Sequence, residues 1–221
     1  PKAILAGQRQ VDVNLNRLFA GVGANYLHTY EAQRVEQIQS CLVRSLSVYS
    51  RLANDKADNR PSFLHLDLHA SIRASRYPLF ALHPWNQSTE PKSALLEFSM
   101  LSRMGAMVLM HKASNTFSYY TQSVFGASSL TLELGKVAKF GCNVLTTLKP
   151  LLVQCRHLLT MGDTNVIKPP AARSRMRVFK VKQELIKRHC DLRFTFSPSV
   201  ENFTQFASNT EIAVQGGLSL H

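Results

Sequence analysis

Hydrophobic positions along the chain change period several times, and each change marks an element. Between residues 30 and 52 apolar side chains recur every three or four positions, at Val35, Ile38, Leu42, Leu46, Tyr49 and Leu52. That spacing keeps one stripe of a helix apolar and predicts an amphipathic helix over the segment. After a loop of turn residues closed by Pro61, the period falls to two. Leu64, Leu66 and Leu68 share one face, and His65, Asp67 and His69 share the other. This alternation predicts a strand over 63–69. Its polar face places an acid between two imidazoles and runs on into Ser71, Arg73, Ser75 and Arg76. Such a face is either wet or buried with partners.

Residues 92–104 have a helical stripe of Leu95, Phe98, Leu101 and Met104, with Ser88 or Thr89 as a cap and Pro91 suited to the first turn. "AMVLMH" predicts a short buried strand. "KASNTFSYYTQSVFGA" has no clear period. "SLTLELG" alternates again, with Leu130, Leu132 and Leu134 on one face, Thr131 and Glu133 on the other, and Gly135 at its end. Residues 143–160 predict a helix opened by Asn143, with Leu148, Leu151, Leu152, Cys155 and Leu159 inward. Pro169 and Pro170 mark a linker, and "RVFKVKQ", "LRFTF" and "TEIAVQGG" beyond it predict short strands. The boundary is placed near residue 165, between a domain over 1–165 and a smaller β-rich domain over 166–221. Strands and helices alternate in the first part, which predicts an α/β sheet with parallel neighbours.

Composition changes this picture little. The 221 residues can bury one good core or one domain and a smaller second. No apolar run approaches the roughly 20 residues of a membrane helix, and no signal peptide is visible. Cys41, Cys142, Cys155 and Cys190 form no C-x-x-C pair, which argues against a zinc knuckle and favours a reducing compartment, the cytoplasm. The net charge of +12 is uneven: residues 166–193 hold nine Lys or Arg against two acids. No nucleic-acid-binding motif accompanies that stretch, so it is read as a solvated surface. A basic nucleic-acid-binding protein is the competing class, and its affinity would fall steeply with salt.

Candidate chemistry lies where strands end. The first predicted strand presents Asp67 and His69, and the later one presents Glu133. Histidine is a common metal ligand and glutamate a common general base. Taken alone, a strand-end histidine is more often a hydrogen-bonded structural residue, and a strand glutamate is usually in a salt bridge. In "RQVDVNLNRLF", Arg9, Asp12, Asn14, Asn16 and Arg17 crowd together, with Leu15, Leu18 and Phe19 to anchor them. Guanidinium groups bind carboxylates bidentately, which suits an acidic ligand.

In order along the chain, "PKAILAGQRQVDVNLNRLFAG", "DLHASIRAS", "TLELGKVAKFGCN" and "NFTQFASNTEIAVQGG" resemble successive segments of the succinylglutamate desuccinylase and aspartoacylase family, a branch of the zinc carboxypeptidase-like fold. The Ile-Arg after His69 and the Leu-Gly-Lys after Glu133 favour the desuccinylase branch. The resemblance implies a mixed sheet flanked by helices with a smaller β-rich C-terminal domain. It implies hydrolysis of N-succinyl-L-glutamate to succinate and L-glutamate, the last step of the arginine succinyltransferase pathway, with one zinc per subunit. It assigns His69 as a zinc ligand, Glu133 as general base and acid, and Arg9 as the group polarising the scissile carbonyl. Asn16, Arg17 and Arg73 would bind substrate carboxylates, and Asp67 would orient a ligand from behind. An aspartoacylase-like enzyme for another N-acyl amino acid is the alternative within the family.

Two departures stand out. The family's His-x-x-Glu motif, which supplies the other two zinc ligands, precedes the segment at which this chain begins. The chain is therefore expected to be a fragment truncated at both ends that binds zinc poorly and is inactive alone. A His28-Thr-Tyr-Glu31 sequence occurs later, where Glu31 suits the first turn of a helix. Asn14 replaces the family's aspartate. It would hold Arg9 more weakly than a carboxylate, so Asn14→Asp is expected to raise the rate.

Overall fold

The computed structural model describes residues 2–5, 7–8, 10–21, 23–52, 63–87, 90–139, 141–161 and 176–220. In chain order the elements are α1 (Lys2–Leu5), α2 (Tyr30–Leu52), β1 (Leu64–Ser71), β2 (Leu79–His83), α3 (Ser93–Leu101), β3 (Ala106–Leu109), α4 (Phe117–Phe125), β4 (Ser128–Lys136), α5 (Lys149–Met161), β5 (Arg177–Lys180), β6 (Arg193–Phe194), β7 (Ala213–Gln215) and β8 (Leu218–Leu220). They fall into two compact units. One comprises Pro1–Asp67, Pro84–Thr89 and Lys112–Leu130; the other comprises Leu68–His83, Glu90–His111 and Thr131–His221.

The first unit is organised around α2. Thr29 caps this helix, its hydroxyl accepting the Ala32 N–H at 3.2 Å. Leu18, Phe19, Ala32 and Val35 form its buried core, with Ile38, Phe117 and Tyr120 packed against them. The predicted stripe faces inward at Val35 and Ile38 and is half-buried at Leu42 and Leu46, while Val43 and Val48, off the stripe, are exposed. The aperiodic stretch 112–127 holds α4. Its buried positions are Ser118 and Thr121, so no apolar stripe announces it. Thr116 caps α4, and Gly126 closes it at φ 67°, a conformation glycine adopts without cost.

The second unit contains most of a mixed five-stranded sheet, in the order β1-β4-β2-β3-β5. β2 runs parallel to β3, β3 parallel to β5, and β2 antiparallel to β4. The Phe63 carbonyl accepts from Ser128 N–H where β1 and β4 begin, and the Ser71 carbonyl from Val137 N–H where they end, so these two strands also run in one direction. Ala81, Met104, Ala106, Met107 and Leu132 are fully buried. A separate antiparallel sheet joins β6, β7 and β8.

Several expectations change. β2 was not legible as a strand, and β5 joins the main sheet. α3 is shorter than 92–104, because Arg103 turns into the left-handed region (φ 61°) and Met104 N–H closes onto the Ser99 carbonyl. The last long helix begins at Lys149 after a short 3-10 turn over Leu145–Leu148, which places Pro150 in its tolerant first turn. Leu152 and Leu159, expected inward, are exposed. α3 starts at Ser93 with Lys92 as its cap and no side-chain cap bond, so neither Ser88 nor Thr89 caps it and Pro91 precedes its first turn. The boundary near 165 and its linker prolines lie outside the described residues.

Candidate functional site

In the first unit, the segment 10–19 is pinned at both ends. Glu31, at the start of α2 and only 5% exposed, accepts the Val11 N–H at 2.7 Å and the Asp12 N–H at 3.3 Å on one carboxylate oxygen. Its other oxygen accepts from Asp12 at 3.4 Å. Burial pushes the Glu31 pKa up, but the backbone N–H groups outweigh it and hold the carboxyl below its ordinary value. Asn14 caps the 3-10 turn Leu15–Arg17 by accepting the Asn16 N–H at 3.1 Å. Asn16 Oδ1 accepts the Phe117 N–H at 2.7 Å, at the start of α4. Phe19 stacks on Phe117 with centroids 4.3 Å apart, and its N–H donates to the Asn115 carbonyl. Leu18 and Phe19 are buried anchors, as expected, and Arg17 is exposed. Arg9 lies outside the described residues.

β1 answers the question its polar face posed. At its start His65 Nδ1 lies 2.6 Å from Thr121 Oγ1, which bonds in turn to the Ser118 carbonyl and Ser129 Oγ. The ring meets Phe117 edge-on, with centroids 4.3 Å apart. Burial lowers the His65 pKa, with Asp67 opposing the shift. Asp67 and His69 follow on the same face, both half-buried, whereas Leu68 on the other face is 59% exposed. From Leu68 onward the polar face is thus the inward one, while both faces are half-buried at the start of β1. His65 was not assigned a role from sequence; its place on that face beside Asp67 was the available signal.

In the second unit, Ser71 Oγ lies 3.2 Å from the carbonyls of Arg73 and Gly135, tying the exit of β1 to β4. Glu133 is half-buried on β4, with Oε2 shielded from solvent, and stands directly opposite Phe80 of β2. His69 and Glu133 therefore sit on neighbouring strands. Arg73 is half-buried, its guanidinium 5.9 Å from the centroid of the Phe196 ring. Asn202 stitches the next residues down: its N–H donates to the Ala74 carbonyl and its carbonyl accepts from Arg76 N–H. The next residue, Phe203, adopts φ 64° and packs edge-on against Tyr77 and Phe80, about 5 Å away. A bulky side chain in that region carries backbone strain, here held by aromatic packing.

Among the described residues no three His, Cys, Asp or Glu side chains gather as metal ligands. His69 supplies one donor, and a catalytic zinc usually takes three protein ligands. The described residues alone do not fit a zinc ion. His28 is exposed, and Glu31 is engaged by backbone N–H groups. In the basic stretch Lys180 pairs with Glu90 at 3.0 Å. No helix among the described residues is long and apolar enough to cross a membrane.

Residues 1–159 match the family model described as the succinylglutamate desuccinylase/aspartoacylase catalytic domain, and residues 174–220 match the AstE/AspA barrel-sandwich hybrid domain. The chain is 30% identical over 222 residues to a protein from Shewanella frigidimarina named succinylglutamate desuccinylase, covering 98% of this chain and 61% of that one. It is 34% identical over 214 residues to a protein of the same name from Burkholderia cenocepacia, covering 97% and 59%. The crystal structure of succinylglutamate desuccinylase from Vibrio cholerae superposes with a TM-score of 0.83 at 29% identity, over 100% of this chain and 60% of that one. The chain spans about three fifths of the length of the curated relatives it matches.

Proposed function

We propose, for a chain that belongs to the succinylglutamate desuccinylase/aspartoacylase family, that the protein carrying it hydrolyses the amide bond of N-succinyl-L-glutamate. The observation that carries this reading is the placement of Glu133, with one carboxylate oxygen shielded from water, on the strand beside the one bearing His69. The names of relatives called succinylglutamate desuccinylase support this choice of substrate.

Glu133 takes a proton from water as its oxygen adds to the succinyl carbonyl, and returns it to the glutamate nitrogen as the C–N bond breaks. The substrate carries three carboxylates, and Arg17, Arg73 and the Asn16 amide are the groups assigned to them. Arg9 is assigned to the scissile carbonyl. Asp67 is the group assigned to orient a metal ligand from behind. Zinc, one per subunit, is the cofactor assigned to the whole protein, with His69 as the ligand in this chain. The reaction would close arginine catabolism by the succinyltransferase route, in the cytoplasm, on a small-molecule substrate without nucleic acid or membrane.

The test is release of free glutamate from N-succinyl-L-glutamate by the full-length protein. Wild type is expected to turn over, and Glu133→Gln to lose more than about a hundredfold in kcat with little change in KM. A wild type that releases no glutamate sinks the reading. Faster release from N-acetyl-L-aspartate would move the substrate to the aspartoacylase side.

A further inference from the structure

We propose that Glu31 is a positioning residue for substrate recognition, its buried carboxylate fixing the segment that presents Asn16 and Arg17. The inference rests on the reading of those two residues as carboxylate contacts.

Glu31 ends the only His-x-x-Glu sequence in the chain. As a metal ligand it would turn a carboxylate oxygen toward a cation. Both of its oxygens instead accept backbone N–H groups, from Val11 and Asp12. A carboxylate that receives several amide hydrogens stays ionised and holds its donors in place. The donors lie four to six residues before Asn16 and Arg17.

The rest of the segment is fixed independently. Asn14 caps the turn, Arg17 N–H donates to the Asn14 carbonyl at 2.9 Å, and Asn16 Oδ1 holds Phe117 N–H. Glu31 supplies the anchor on the amino-terminal side, where Val11 is exposed and Asp12 is exposed. Without that anchor, residues 11–14 would sample many conformations, and the turn carrying Arg17 would lose its support on the amino-terminal side. Holding a recognition group still before substrate arrives removes an entropic cost of binding. The effect should therefore appear in KM rather than in the chemical step.

The experiment uses the full-length protein with Glu31→Ala, Glu31→Gln, Arg17→Ala and the Glu31→Ala/Arg17→Ala pair. Folding is followed by circular dichroism and thermal melting. Glu31→Gln preserves volume and one acceptor, so it keeps the test alive if Glu31→Ala does not fold. The expected result is a rise in KM of about tenfold for Glu31→Ala and a smaller one for Glu31→Gln, with kcat within about threefold. In the Arg17→Ala background, Glu31→Ala should raise KM by less than about threefold, because it acts through the residue already removed. An unchanged KM in folded variants, or the same factor in both backgrounds, overturns the proposal while leaving the functional reading intact. A wild type that does not hydrolyse N-succinyl-L-glutamate overturns both.

Discussion

The Arg73 guanidinium lies over the ring of Phe196, 5.9 Å from its centroid. Arg73 leaves the end of β1, and Phe196 belongs to the part of the chain matching the hybrid-domain model. Phe196 is itself packed, 5.0 Å from Phe194 and 5.3 Å from Phe206 between ring centroids. A cation over an aromatic face is worth about 0.5–1 kcal/mol at a partly exposed site. Phe196→Leu is therefore expected to raise KM for N-succinyl-L-glutamate by about two- to fivefold, while Phe196→Tyr keeps it near wild type. Equal KM in Leu and wild-type proteins would show that the ring does not hold this arginine for substrate.

Asn16 Oδ1 and the Phe117 N–H, 101 residues apart in sequence, lie 2.7 Å apart. Asn16→Ala strands a half-buried amide at the start of α4. The expected loss is about 1–2 kcal/mol of unfolding free energy, measured by urea denaturation. Asn16→Asp keeps the acceptor and adds a negative charge at a helix N-terminus, so it should lose less. A neutral Asn16→Ala would mean water replaces the bond without cost.

Glu31 has a folded-state pKa below its ordinary value of 4.5, because backbone N–H bonds outweigh its burial. A depressed acid stabilises the fold above its unfolded pKa, and that contribution disappears as pH falls through the folded value. Wild-type stability should drop as pH is lowered from about 4.5, more steeply than that of Glu31→Gln. Chemical denaturation at pH 6, 4.5 and 3.5 measures the difference. Parallel curves would remove Glu31 from the acid response.

His65 titrates in the opposite sense to a histidine that gains an anionic partner. Burial lowers its pKa from 6.5, with Asp67 opposing. The unfolded chain then binds a proton that the folded chain does not, so stability falls as pH drops from about 6.5 toward the folded value and levels off below it. Thermal melts from pH 8 to 5 should show this loss, and His65→Gln should show less of it. A melting temperature independent of the substitution across that range would count against a buried neutral imidazole.

Much of this protein was legible in its sequence. Val35 and Ile38 announced the packed face of α2, and alternation announced β1 and β4, because helix and strand geometry alone set those periods. Residue types and their order along the chain also pointed to the family and to Glu133, His69 and the Asn16–Arg17 pair. Other features had no local signature. β2 has no polar face to alternate, since consecutive Phe80 and Ala81 are both buried. α4 turns Ser118 and Thr121 inward, and those hydroxyls join a hydrogen-bonded network that includes His65 and Ser129. Leu68 and Leu159 look like core and are exposed. Tertiary structure decided that Glu31 serves backbone amides, that Asn16 holds α4, and that Phe196 lies under Arg73. Each of these depends on a group distant in sequence being brought within bonding distance, whereas periodicity records only which face of an element its neighbours share.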